Sequence, residues 1–282
     1  MRYAHPLQFS IVCGQRAPWP ELVARIRESE ELSFHGFNVV DHFYGVHDVM
    51  DPTHEAWTVL GGLAMASERI RLGVMVCGNT YRNPAFLLKQ AITVDHISNG
   101  RVDFGVGAGW LEREHEAYSF DFPSARERVD RFAEALEIWD LLQQNERTNY
   151  EGRYYQLVDT PFEPKAVQQP RLPVLIGASL PRMLALTAKH ADIWNTRGTP
   201  QEAQDGNDLL DEQCRKLGRD PAEITRSISA GLSLFESVGA FETGVAAYQA
   251  AGFTDFQIPW PRTPRQLATM RHVATHVIPT NS

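Results

Sequence analysis

The chain has 282 residues, 43% of them hydrophobic and 22% charged, which suits two domains or one large α/β barrel and excludes wholesale disorder or a collagen-like repeat. Its 27 Lys and Arg against 35 Asp and Glu leave a formal net charge of −8, which argues against a nucleic-acid or membrane-surface partner. The opening MRYAHPLQFSIVCG lacks a signal-peptide pattern, no apolar run is long enough for a transmembrane helix, and Cys13, Cys77 and Cys214 form neither a disulfide framework nor a CxxC motif, so a reduced, cytoplasmic protein is expected.

Short apolar runs alternate with helix-like segments. Gln8–Cys13 reads as a first strand, followed by an amphipathic helix over Pro20–Ser33 with Leu22, Val23 and Ile26 at helical spacing. Gly36–Phe43 is a second strand and Thr53–Ser67 a second helix. Ile70–Cys77 is a third strand, Pro84–Ser98 a helix opened by proline, and Arg101–Val106 a fourth strand. Ala125–Gln144 is the clearest helix, with Val129, Phe132, Ala133, Leu136 and Trp139 on one stripe. The segment Arg147–Pro173 breaks the alternation. It is rich in Pro, Gln and aromatic residues, TNYEGRYYQL suggests a hairpin, and it reads as an insertion over the strand-end face.

The alternation then resumes with strands at Leu172–Gly177, Asp192–Asn195, Ile228–Phe235 and Phe253–Pro259. Helices are expected at Pro181–His190, Glu202–Leu217 (closed by Gly218), Thr243–Ala251 and Pro264–Val277. Eight strand–helix units predict one (β/α)8 barrel domain over residues 1–282, with 147–173 inserted. A doubly wound sheet gives the same local signals, but the first strand is not followed by GxGxxG.

Barrel chemistry gathers at the C-terminal ends of the strands. Two of those ends carry small-residue loops: GVGAGW with Gly107, Ala108 and Gly109, and IGASLPR with Gly177, Ala178 and Ser179 before a helix. Such loops bring backbone close to a ligand and aim N–H groups at phosphate; either one alone equally suits a tight turn. Asp41–His42 is the sharpest polar pair, and His42 is placed to exchange a proton or simply to be held by buried hydrogen bonds. His47 and His54 flank a loop that could reach the pocket mouth. Glu112, Glu114, His115 and Glu116 lack HExxH spacing and read as a solvated helix start, so no metal is expected. Cys77 reads as a buried small hydrophobe. Phe43, Trp110, Trp194 and Trp260 suit either a flat apolar ligand or the core.

The sequence blocks GFNVVDHF, IRLGVMVCGNTYRNPAFLLKQAITVDHISNGRVDFGVGAGW, EREHEAYSFDFPSARERVDRFAEALEIWDLL and PVLIGASLPRMLALTAKHADIWN together resemble the luciferase-like monooxygenase family, above all its branch dependent on coenzyme F420. The resemblance spans nearly the whole chain. It implies a barrel with coenzyme F420, or alternatively FMN, in its mouth, and His42 beside the deazaflavin. Asp41, Val76, Cys77 and Asn79 would lie near or under the ring, often with a non-proline cis peptide nearby. Gly107, Ala108 and Gly109 would approach the ring and side chain, and Gly177, Ala178 and Ser179 would form the phosphate turn. Relatives that oxidise a sugar phosphate carry a glutamate at the position of Ala108, so that substrate class is disfavoured; Arg197 is only a loose match for their phosphate-binding cation. The functions implied are hydride transfer to or from a small organic substrate with deazaflavin, or oxygenation with FMN and a separate reductase. A non-catalytic flavin-binding barrel is the alternative of another class. A homodimer is expected by analogy alone.

Overall fold

The computed structural model describes residues 5–46 and 48–278; His47 lies outside the described residues. In chain order the elements are β1 (Gln8–Val12), α1 (Trp19–Glu31), β2 (Gly36–Val39), α2 (Ala56–Ala66), β3 (Arg71–Val74), β4 (Cys77–Gly78), α3 (Pro84–Ser98) and β5 (Val102–Gly107). There follow α4 (Glu112–Ala117), α5 (Ala125–Gln144), the antiparallel hairpin β6 (Arg147–Glu151) and β7 (Gln156–Pro161), β8 (Val174–Gly177), α6 (Pro181–His190) and β9 (Ile193–Thr196). The chain ends with α7 (Pro200–Leu217), β10 (Thr225–Ser229), α8 (Val238–Ala250), β11 (Asp255–Pro259) and α9 (Pro264–His276).

Eight parallel strands close in the order β3-β2-β1-β11-β10-β9-β8-β5, and the β5–β3 pairing, Leu72 against Val102, completes the ring. This is the (β/α)8 barrel that the alternation predicted. Its helices start where the sequence supplies stop-and-start chemistry. Asn83 accepts from the amides of Ala85 and Phe86 ahead of Pro84, and Thr199 forms a capping box with Glu202. Gly218 closes α7 at φ 70°, a conformation that suits a residue without Cβ. The buried stripe of α5 includes Phe132, Leu136 and Trp139, and the Trp139 indole donates to the Pro84 carbonyl at 2.8 Å, locking α5 onto the start of α3.

Four local readings need correction. The run Ile70–Cys77 is not one strand: it breaks at a cis Met75–Val76 peptide, and only Cys77–Gly78 resumes pairing, with Val106 and Gly107. The second strand stops at Val39, so Asp41–His42 sits in the loop beyond it. Residues 228–235 are not one strand either. Pairing ends at Ser229, and Leu232–Phe235 turn into a 3-10 helix whose Leu234 and Phe235 are buried. Residues 112–117, read as a charged helix start, form a separate short helix. The insertion reaches the strand-end face at its tip, where the Asn79 amide donates to the Tyr155 hydroxyl at 3.3 Å. At the same tip, Glu134 of α5 accepts from the amides of Arg153, Tyr154 and Tyr155.

The lower barrel interior is polar. Asn38 donates to Gln257 at 2.8 Å, and Gln257 donates to Asp255 at 2.9 Å. Burial pushes the Asp255 carboxyl up to about 6, although Ser227 and Gln257 oppose it. A carboxyl whose folded pKa lies above its unfolded value binds more protons in the native state. Stability is therefore unpenalised below the unfolded pKa, falls as pH rises between about 4 and 6, and stays reduced above that. That rise corresponds to roughly 3 kcal/mol. Asp255→Asn is expected to raise the melting temperature at pH 8 and to match the wild type below pH 4. Parallel thermal melts at both pH values check this; an unchanged difference across pH would refute the assignment.

Candidate active site

The break between β3 and β4 delivers Val76 to the middle of the strand-end face. Its Cγ2 lies only 3.0 Å from the place a Cβ would occupy on either Gly107 or Gly177. A side chain at either position would press on Val76, between the ends of β5 and β8, so the absent Cβ atoms leave room for its close approach. Gly109 differs: it has φ 83°, and a Cβ there would meet the Thr80 hydroxyl at 2.5 Å.

A cavity of about 170 Å³ opens above this floor, lined among others by Asp41, His42, Cys77, Tyr81 and Trp110. A second, of about 250 Å³, adjoins it and shares Val76, Trp110, Gly177, Asn195 and Ser229. Together they reach the size of a small-molecule site. Of the expected site residues, Asp41, His42, Val76, Cys77, Gly107, Gly109 and Gly177 line the first cavity, and Ala178 and Ser179 line the second. Asn79 and Ala108 line neither. Asn79 is buried, and its Oδ1 has no hydrogen-bond partner.

Asp41 is held rather than free. It accepts two 2.8 Å bonds from Arg82 and one of 2.9 Å from the Gly78 amide. Arg82 also donates to Glu55 at 2.8 Å. Burial works against the Arg82 cation, but Asp41 and Glu55 outweigh it and keep the guanidinium charged. The clamp joins the β2 loop, the end of β4 and the N-cap of α2.

The largest departure from the sequence reading is Glu114. It is fully buried and collects three donors: His42 Nδ1 at 2.9 Å, the Tyr81 hydroxyl at 2.6 Å and the Phe43 amide at 2.7 Å. Burial pushes its carboxyl up, yet the bonds from His42, Tyr81 and Phe43 prevail and hold it below the usual carboxylate range. An ionised carboxylate only accepts, so His42 Nδ1 carries the proton and Nε2 is the ring nitrogen left for the cavity. Burial and Glu114 push the Tyr81 phenol up, keeping it a donor. His115 is buried too; it stacks on Tyr81 with ring centroids 4.5 Å apart and pairs with the Thr80 hydroxyl at 2.6 Å. The cluster taken for a solvated helix start therefore has two of its four members, Glu114 and His115, buried beside the site.

Four other residues fall into place. Trp194 is a core residue, packed on Phe253 and donating to the Ala178 carbonyl at 2.9 Å, and does not line the mouth. Burial, reinforced by Asp41, pushes the Cys77 thiol well up, as befits a small hydrophobe rather than a nucleophile. Asn195 and Ser229 belong to the lining; Ser229 was hidden by the overlong strand reading. At the second cavity the Ala178 amide is already bonded to the Asn195 carbonyl. Besides Asn195 and Ser229, the polar groups there include the Ser179 and Thr196 hydroxyls, 3.3 Å apart, and the exposed Arg197, with α6 beginning at Pro181 without a side-chain cap. No group of three or more His, Cys, Asp or Glu suited to a metal occurs among the described residues, and none of the described helices is long and apolar enough to cross a membrane.

Solved structures share this architecture. A coenzyme F420-dependent secondary alcohol dehydrogenase carrying an F420–acetone adduct superposes with a TM-score of 0.87 at 15% identity, over 99% of this chain and all of that one. The coenzyme F420-dependent tetrahydromethanopterin reductase of Methanopyrus kandleri gives 0.82 at 17% identity over 99% of this chain and 100% of its own. A long-chain alkane monooxygenase gives 0.79 at 13% identity, covering 98% and 91%. A phthiodiolone/phenolphthiodiolone dimycocerosates ketoreductase of Mycobacterium tuberculosis is 31% identical over 215 residues, 72% of this chain and 55% of that protein. An uncharacterized protein of the same species is 32% identical over 169 residues, 60% of this chain and 58% of that one. The chain thus spans a little over half the length of these curated relatives. The luciferase-like monooxygenase pattern, by contrast, matches residues 4–271. That match takes in every strand of the barrel and the whole Val76–His42–Glu114 mouth, so the chain belongs to the luciferase-like monooxygenase family.

Proposed function

We propose that the protein is a coenzyme F420-dependent oxidoreductase that moves a hydride between the deazaflavin and a small organic substrate. The observation that carries this reading is the His42–Glu114 pair, 2.9 Å apart, at the edge of a cavity floored by Val76. Hydride transfer to a carbonyl carbon leaves a charge on oxygen that needs one proton, and the reverse reaction needs that proton removed.

The residues present fit the cofactor by their donor set. Ser179, Thr196 and Arg197, beside the uncapped start of α6, would hold its phosphate. Val76, Trp110 and the backbone at Gly107 and Gly177 would receive the ring. When bound, the deazaflavin supplies or accepts the hydride. The chain does the rest. Glu114 fixes the His42 tautomer, so that Nε2 takes the hydroxyl proton during oxidation or, once protonated, gives it to the carbonyl oxygen during reduction. Trp110 lies edge-on to His42, with ring centres 5.8 Å apart, at the rim of that exchange. The names of two similar proteins, a secondary alcohol dehydrogenase and a ketoreductase, agree with a carbonyl–alcohol pair.

A fluorescence titration of the purified protein with coenzyme F420 and with FMN tests the cofactor. Saturable binding of F420 and none of FMN is expected. Tight FMN binding without F420 binding would replace this reading by an FMN-dependent monooxygenase served by a separate reductase.

A further inference from the structure

On the same barrel face, beyond the ends of β1, β2 and β11, lies a third and larger cleft of about 640 Å³. Three guanidinium groups line it, from Arg16, Arg25 and Arg262, against one lining carboxylate, Asp51. Asp51 pairs with Arg16 at 3.1 Å. Arg25 leans on Glu21 at 2.5 Å and on the Cys13 sulfur at 3.4 Å, and lies 5.3 Å from the Trp260 ring centre. Arg262 is exposed, and its guanidinium has no hydrogen bond or ion pair among the described residues; only its backbone amide is used, by Gln266. An excess of positive charge in a concave site of a chain whose net charge is −8 concentrates anions there, since the cleft focuses the local field.

The rest of the lining is apolar and stiff. Trp260 stands between Pro259 and Pro261, and Val12 and Val40 complete the wall. Val40 is two residues before His42, so this cleft flanks the histidine side of the mouth, whereas Ser179 and Arg197 flank the other.

We infer that this cleft is the substrate's recognition site, taking a carboxylate or phosphate group on the Arg16–Arg25–Arg262 cluster and an apolar body, such as an aromatic ring, against Trp260. Arginine suits both oxyanions because its planar fork can bond two oxygens at once, and tryptophan offers a broad apolar face. The inference rests on the reading of this barrel end as a catalytic mouth, and it narrows the substrate to an anionic molecule with an apolar portion.

The test needs no cofactor, so its failure and the failure of the F420 reading show separately. Phenyl phosphate, benzoate and uncharged phenol are titrated into the full chain, and the indole N–H signal of Trp260 is followed by NMR after assignment with Trp260→Phe. Phenyl phosphate or benzoate should shift this signal saturably and phenol should not; whichever anion binds more tightly identifies the oxyanion. Arg262→Ala, which removes a guanidinium with no hydrogen bond or ion pair among the described residues, should weaken that binding at least tenfold. A signal unmoved by both anions, an equal response to phenol, or an unchanged affinity in Arg262→Ala would overturn the inference.

Discussion

Oxidation of an alcohol with oxidised coenzyme F420 is expected to slow about 10²–10⁴-fold on replacing His42 with alanine, the range that a positioned acid–base group contributes. Glu114→Gln should approach the same loss without removing the imidazole. Three donors converge on Glu114: Phe43 N–H on Oε1, and His42 Nδ1 and Tyr81 O–H on Oε2. A glutamine has one acceptor oxygen, and the Phe43 amide cannot rotate away from it. The carbonyl must therefore face Phe43, which turns the amide NH₂ toward His42 and Tyr81. The tyrosine hydroxyl can reverse its direction. His42 can accept that bond only by losing the Nδ1 proton, which moves the proton to Nε2. The nitrogen facing the cavity changes from acceptor to donor, and a base for alcohol oxidation is lost while the pocket walls stay put. Single-turnover measurements should show a fall in kcat with KM little altered. Nitrogen chemical shifts of the His42 ring should report the exchanged tautomer. An unchanged ring spectrum with full activity would make Glu114 a packing residue only.

The way this pair escaped the sequence is instructive. His42 was visible because barrel strands end in functional loops, and Asp41–His42 ends a β-rich run. Glu114 was not, because Glu112–Ala117 is a six-residue helix with three glutamates, and local charge density says "solvated". What buries it lies 33 and 72 positions away in sequence, at Tyr81 and His42. A signal was nonetheless present: a histidine that is to exchange a proton needs an orienting acceptor, and a glutamate soon after the fourth-strand glycines was within reach of the same barrel face. Gly107 and Gly177 were singled out as loops that bring backbone close to a ligand; the structure adds that their missing Cβ atoms leave room for Val76. No local pattern reveals that contact, because it depends on the break at Met75–Val76. The alternation of strands and helices, by contrast, is written in each segment separately, which is why the barrel and the ends of α3, α5 and α6 were legible.

Asp41→Ala is expected to cost about 3–5 kcal/mol, the usual penalty for removing one partner of a buried ion pair. The Arg82 side chain is only 8% exposed and would lose two of its three charge-assisted bonds, keeping Glu55. The Gly78 amide, itself buried, would lose its acceptor as well. Asp41→Asn separates these effects, since an amide oxygen can still serve either Gly78 or one arm of Arg82 but carries no charge to offset the guanidinium; its cost should fall between alanine and wild type. Because Gly78 and Asp41 both line the first cavity, the loss should reach function too. Coenzyme F420 affinity should weaken in both variants, in the same order as stability. Denaturant melts and the fluorescence titration, run side by side on the two variants, measure the coupling. If Asp41→Ala melted like the wild type, the clamp would be an exposed, dispensable pair. If it melted early yet bound cofactor unchanged, the β2 loop and β4 would be independent of one another, contrary to the bonds that Asp41 makes to both Gly78 and Arg82.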